Sequence, residues 1–130
     1  MIQIHLNHMA ESLTKVEQTL TQVGATLLQD KQYKAMFICE EILTNLQRHA
    51  DFGERKPHVT LSVKLQEEDL ELTFKDNSKT FNLLEFPDPD IHASLEARET
   101  GGLGIFLTKK YAKELAYHFD NTYNYLKVVL

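Results

Sequence analysis

The sequence predicts an α+β fold, a two-layer sandwich with helices on one face of a mixed sheet. Two alternating runs, Val59 to Leu65 and Leu70 to Phe74, flank a polar turn and read as a β-hairpin. Two runs with apolar residues at three- and four-residue steps come before them and read as amphipathic helices. A glycine cluster, Gly101-Gly102-Leu103-Gly104, opens a third helix after a long stretch with no sustained period.

In chain order, Ile2, Ile4 and Leu6 alternate with Gln3 and His5, as in a short strand. Leu13, Val16, Leu20, Val23 and Leu27 mark a helix over about 10–28, and Leu28 to Gln32 is polar enough to turn. A central helix follows over about 32–50. Its opening, Ala35-Met36-Phe37-Ile38, is apolar all round and should be deeply buried. Gly53 and Pro57 mark a loop from Asp51. The two hairpin strands come next, the second ending at Asp76. Residues 77–100 hold Pro87-Asp88-Pro89-Asp90, which excludes regular structure there, and a stretch this long suggests a lid or binding loop. Leu103, Phe106, Leu107 and Tyr111 carry a helix to about Leu115. Tyr117 to Asp120 and Tyr123 to Leu130 then form a terminal hairpin turning at Asn121-Thr122.

Composition narrows the function. The 130 residues are expected to form one domain, 1–130, with 42% hydrophobic and 25% charged residues, as in soluble globular proteins. A formal charge of -5, from 14 basic and 19 acidic residues, argues against direct nucleic-acid binding, which needs phosphate neutralisation. No run has the character of a signal peptide or the length of a membrane span, so no membrane association is expected. Cys39 is the single cysteine and a cytoplasmic setting fits it; it faces the expected core as a small hydrophobe. His5 and His8 lack a third ligand nearby and are expected on the surface.

Three features carry chemistry. On the central helix, Glu41, Asn45 and His49 are spaced four apart, at the edge of the stripe made by Ala35, Cys39, Ile42, Leu43, Leu46 and Ala50. A carboxylate there can accept a proton, and an amide oxygen can ligate a hard cation such as magnesium. Asp76 stands at a strand end, where it can accept from an exocyclic amine. The glycine cluster opens a helix whose free N–H groups and positive dipole end suit phosphate. Singly, each has a plainer explanation: a solvated helix face, a turn after a strand, a tight turn into a helix. Their order and spacing together are far more specific.

With those residues in place, the sequence resembles the GHKL superfamily of Bergerat-fold (histidine-kinase-like) ATPases, and within it the bacterial anti-sigma-factor serine/threonine kinases. Glu41-Ile42-Leu43-Thr44-Asn45 with His49-Ala50 resembles the N box, Asp76 to Phe81 the first glycine box, and Glu96 to Ile105 the second. The resemblance implies ATP and Mg2+ as cofactors, with Asn45 as magnesium ligand and Glu41 as general base for phosphoryl transfer. It implies that Asp76 binds the adenine amino group and that Ser78 and Leu103 lie at the nucleotide. Gly101, Gly102 and Gly104 would meet phosphate through their backbone and hinge a lid, from which Arg98 reaches the phosphates. Ser78 departs from the pattern, standing where the first box has glycine, and a modest distortion of the adenine site is expected from its added Cβ and hydroxyl.

The implied activity is phosphorylation of a STAS-type anti-sigma-factor antagonist in a partner-switching pathway, with a sigma factor or other regulatory protein as second partner. A homodimer through the first long helix is a family expectation, although that helix packs on its own sheet equally well. The alternative is a nucleotide-binding regulatory interaction module without kinase activity, which Ser78 motivates. A domain that has lost nucleotide and a detached sensor-kinase catalytic domain complete the set. The nucleotide reading expects Asn45, Asp76 and Gly101 to Gly104 to converge on one cavity; placed around different hollows, they would leave only a soluble α+β sandwich.

Overall fold

Alternation builds the sheet as expected and its register defines the core. The computed structural model describes residues 1–23, 29–87 and 102–130. Five strands, β1 (Ile2–Ile4), β2 (Val59–Gln66), β3 (Asp69–Asp76), β4 (Glu114–Phe119) and β5 (Asn124–Val129), form one sheet in the order β1-β2-β3-β5-β4. Along β3 every second residue is buried: Leu70, Leu72, Phe74 and Asp76. The register sets Leu61 opposite Phe74 and Phe74 opposite Leu126, so one face of adjoining strands carries one apolar surface. Leu130 extends this edge by exchanging hydrogen bonds of 2.9 and 3.0 Å with Leu70.

Three helices cover that surface: α1 (Met9–Val23), α2 (Gln29–His49) and α3 (Gly102–Tyr111). Helix α2 buries Ala35, Ile38, Cys39, Ile42, Leu43 and Leu46, the stripe its periodicity requires. Val16 and Leu20 of α1 and Ile105 of α3 join the same core. Cys39 is fully enclosed, and burial, with the nearby Glu40 charge adding to it, pushes its thiol far above the ordinary range. It is a packing residue.

Several boundaries differ from the sequence expectation. Among the described residues every strand pairing is antiparallel, so the sheet they form is not mixed. The crossover through α3 does send β4 in the same direction as β3, but β5 inserts between the two, and no parallel pair forms. Helix α3 begins at Gly102 and stops at Tyr111, and β4 starts at Glu114 rather than at Tyr117. Glu114 to Phe119 alternates exposed and half-buried residues, and Lys113 N–H already bonds Val129 O at 2.7 Å. The strand period therefore begins where the helix period was expected to run on. Strand β1 ends at Ile4 and a 3₁₀ turn, Leu6–His8, leads into α1. Leu27, expected on the first helix, and Pro89, in the lid stretch, lie outside the described residues. His5 and His8 are exposed.

Phe74 is among the largest fully buried side chains and sits at the centre of the sheet between β2 and β5. Phe74→Ala is expected to cost about 3–5 kcal/mol, the range for a buried ring replaced by a cavity. The measurement is a urea unfolding curve, with the midpoint falling and the slope unchanged.

Candidate functional site

The C-terminal end of β3 holds the first half of the site. Asp76 is 4% exposed and Ser78 is completely buried. Oδ1 of Asp76 accepts from the Ser78 backbone N–H at 3.0 Å, from the Ser78 hydroxyl, and from Asn124 Nδ2 at 3.1 Å. Serine fits here without backbone strain: among the described residues, positive φ outside glycine occurs at Glu67 and Asn121 only. The extra hydroxyl satisfies the carboxylate instead of crowding it.

Asn77, the next residue, turns the other way and fixes the loop before β2. Its Oδ1 accepts from His58 N–H at 2.7 Å, and its Nδ2 donates to Lys56 O at 3.0 Å. Lys79 N–H bonds Asp51 O at 2.8 Å, and its ammonium lies 3.2 Å from the Asp51 carboxylate. The end of α2 is thereby tied to the segment after Asp76. The Asp51 carboxyl is held below its ordinary range, chiefly by the Gly53 N–H and then by Lys79.

Asp76, Phe81, Leu83, Tyr117 and Asn124 enclose a narrow cavity with Ile42 and Leu46 of α2, over a floor of Phe74 and Leu126. The cavity measures about 10 Å³, room for no more than a single water, so its aliphatic and aromatic walls stand closed together around one carboxylate. Phe81 and Phe86 pack edge to face, and so do Phe86 and His49. Lys109 of α3 donates to Phe86 O at 3.2 Å, which holds this wall against both helices.

The second half lies on the other side of α2. Glu41, Thr44 and Arg48 line an open groove with Leu103, Gly104 and Leu107 of α3. Gly104 is buried, and a Cβ there would overlap the Glu41 carboxylate and stand 2.8 Å from its Cγ. Glycine is what allows the carboxylate to lie against the first turn of α3. Burial raises the Glu41 carboxyl above its ordinary range; Arg48 opposes this and Glu40 reinforces it.

Asn45 lies between the two halves. At about 100° per residue, positions 44, 48 and 41 fall on one side of it around α2, and 42 and 46 on the other. Its Nδ2 donates to Glu41 O at 2.6 Å. Its Oδ1 is buried with no hydrogen-bond partner, and it is the one such side-chain atom among the described residues. An orphaned buried acceptor of this kind costs about 1–3 kcal/mol unless a water or a ligand meets it. An amide oxygen suits a hard divalent cation, so the residues present fit Mg2+ bound with a nucleotide.

The described residues therefore bring Asp76 and Ser78 together, and Glu41 and Gly104 together. They place the two groups at neighbouring hollows rather than one, because α2 stands between them. Gly102 starts α3 and Leu103 lines its groove; Arg98 and Gly101 lie outside the described residues. Asn124 and Tyr117 were not legible as site residues, since only the strand register brings them to Asp76.

Three helices on one face of a five-stranded antiparallel sheet, with Asp76 buried at a strand end and Glu41 of α2 packed against Gly104 of α3, make an α+β domain of histidine-kinase-like ATPase architecture. The chain belongs to the histidine kinase-like ATPase domain family, whose profile matches residues 6–130. It is similar to the serine-protein kinase RsbW of Listeria monocytogenes serovar 1/2a, at 30% identity over 84 residues covering 62% of this chain and 54% of the relative. RsbW of Listeria innocua matches over the same shares at 29%. The similarity thus falls within the anti-sigma-kinase-like branch of the GHKL superfamily, and the chain spans about half the length of these curated relatives. Among solved structures, the histidine kinase domain of a blue-light-activated histidine kinase from Erythrobacter litoralis has the same fold, at TM-score 0.55 and 13% identity over 92% of this chain and 59% of that one. No helix among the described residues is long and apolar enough to cross a membrane.

Gly104→Ala is expected to push the Glu41 side chain out of the α3 groove. Because the clash is with a flexible side chain, stability should change by no more than about 1 kcal/mol. The displaced carboxyl gains solvent, so its pKa should fall toward that of ordinary glutamate, read by carboxyl 13C NMR titration.

Proposed function

We propose that this chain binds ATP with Mg2+ and transfers the terminal phosphoryl group to a serine or threonine of a protein, as a kinase of the anti-sigma type. The supporting observation is the buried, unpartnered Oδ1 of Asn45, on the arc of α2 between the residues that line the Asp76 cavity and those that line the α3 groove. In this reading the walls beside Asp76 part to admit the base, the start of α3 receives the triphosphate, and Asn45, on the arc of α2 between the two hollows, would hold the cation. Mg2+ supplies charge neutralisation of the phosphates.

The chain's own groups do the rest. Asp76 accepts from the exocyclic amine of the base, and the aliphatic walls Ile42 and Leu46 exclude water around it. Backbone N–H groups at the start of α3 receive phosphate oxygens. Glu41 takes the proton of the attacking hydroxyl; a carboxyl raised by burial is a better base than an exposed one. Arg98 and Gly101 complete the phosphate end in the same scheme. The protein substrate is a STAS-type antagonist, a sigma factor or comparable regulator is the second partner, and the setting is cytoplasmic. The similarity to serine-protein kinases supports a protein serine as the acceptor.

The decisive experiment incubates the chain with labelled ATP, Mg2+ and a cognate antagonist, with calorimetry in parallel. Asn45→Ala and Asp76→Asn should each weaken Mg-ATP binding by about tenfold or more, whereas Glu41→Gln should retain binding and lose transfer. Tight ATP binding with no label transferred by the wild type would favour the regulatory-module reading.

The transfer rate should rise with pH as Glu41 loses its proton. Because burial raises that carboxyl, the rise should fall at higher pH than for an exposed glutamate. A pH–rate profile for the wild type, with its midpoint shifted downward in Gly104→Ala, checks the assignment.

A further inference from the structure

Asp76 is held by a set of side chains whose geometry constrains what it can offer a ligand. Asn124 stands directly across from it in the β3–β5 register. Asn124 is 2% exposed, and both ends of its amide are committed. Its Oδ1 accepts from Phe81 N–H at 3.0 Å and from the Tyr117 hydroxyl. Its Nδ2 donates toward Asp76 Oδ1, Ser78 O, Ser78 Oγ and Lys79 O, each at 3.1 Å. The Phe81 N–H on one side, and two backbone carbonyls and a carboxylate on the other, fix which way the amide points. Tyr117 is anchored in turn, with its hydroxyl 3.1 Å from Thr80 Oγ1 and 3.3 Å from Phe81 N.

The consequence falls on the carboxylate. Oδ1 of Asp76 already receives three donors, Ser78 N–H, Ser78 O–H and Asn124 N–H, which uses its acceptor capacity. No described residue donates to Oδ2. Resting on the nucleotide reading above, we propose that Asn124, braced by Tyr117 and assisted by the Ser78 hydroxyl, is a positioning residue that saturates Oδ1 of Asp76 and presents Oδ2 as a single fixed acceptor for the exocyclic amine of the base. Ser78 is then part of the recognition device, in place of the glycine that the motif has at that position. The same network shapes the slot, because Phe81, Tyr117 and Asn124 all line it.

A residue acting through Asp76 should matter only when the ligand has an amine for Asp76 to grip. The test measures binding of ATP and of purine riboside 5′-triphosphate, which lacks the exocyclic amine, to wild type, Asn124→Ala and Tyr117→Phe, by calorimetry with Mg2+. Asn124→Ala is expected to lose about tenfold in ATP affinity and to bind purine riboside triphosphate within about twofold of wild type. Tyr117→Phe keeps the ring and removes only the brace. It should show a smaller loss with the same selectivity, and it serves if Asn124→Ala does not fold. Equal losses for the two nucleotides would mean a distorted slot and would overturn the positioning role, as would unchanged ATP affinity in both variants. A wild-type chain that binds ATP and purine riboside triphosphate equally well would overturn the amine contact itself. One that binds neither would overturn the nucleotide reading, and the positioning role with it.

Discussion

Helix α2 cannot lay its apolar stripe on the sheet without carrying Asn45 in with it. Ile42 and Leu46 must face the strands, and Glu41 must stay at the rim toward α3; the angular position between them belongs to residue 45. A polar side chain there is buried by its neighbours' packing. Its N–H2 group finds the Glu41 carbonyl one turn back, whereas its oxygen finds nothing. A hydrophobic residue would have filled that position at no polar cost. The core and the site are thus specified by one helix, and tolerance to mutation along it should change sharply from one residue to the next.

Much of this was legible in the sequence because the signals were local. Period two in Val59 to Leu65 and in Leu70 to Phe74 gave the hairpin, and the apolar steps from Ala35 to Leu46 gave the buried face of α2. Glu41 and Asn45 stand out as candidates because they share that helix. What escaped depended on long-range pairing. Asn124 follows an Asn-Thr turn and looks like any strand-opening residue; only the insertion of β5 between β3 and β4 sets it against Asp76, 48 positions earlier. The same insertion makes the sheet antiparallel, and no local pattern encodes it. The boundary at Glu114 was missed because Leu115 fits both a helical and an alternating period.

Ser78 shows how a motif departure can be resolved by geometry. Glycine is required where φ is positive or where backbone must approach closely. Residue 78 has no positive φ, and its hydroxyl joins Asp76 and Asn124. The serine adds a donor to the Asp76 cluster, and Gly104 leaves the space in which the Glu41 carboxylate lies.

Cys39 offers a reporter that needs no engineering. Its sulfur is sealed inside α2 and its thiol is held protonated, so an alkylating reagent reaches it only when the helix lifts off the sheet. The labelling rate of the native chain therefore reads out opening of the very element that carries Glu41 and Asn45. Any molecule gripped by the folded form alone slows that labelling in proportion to its occupancy.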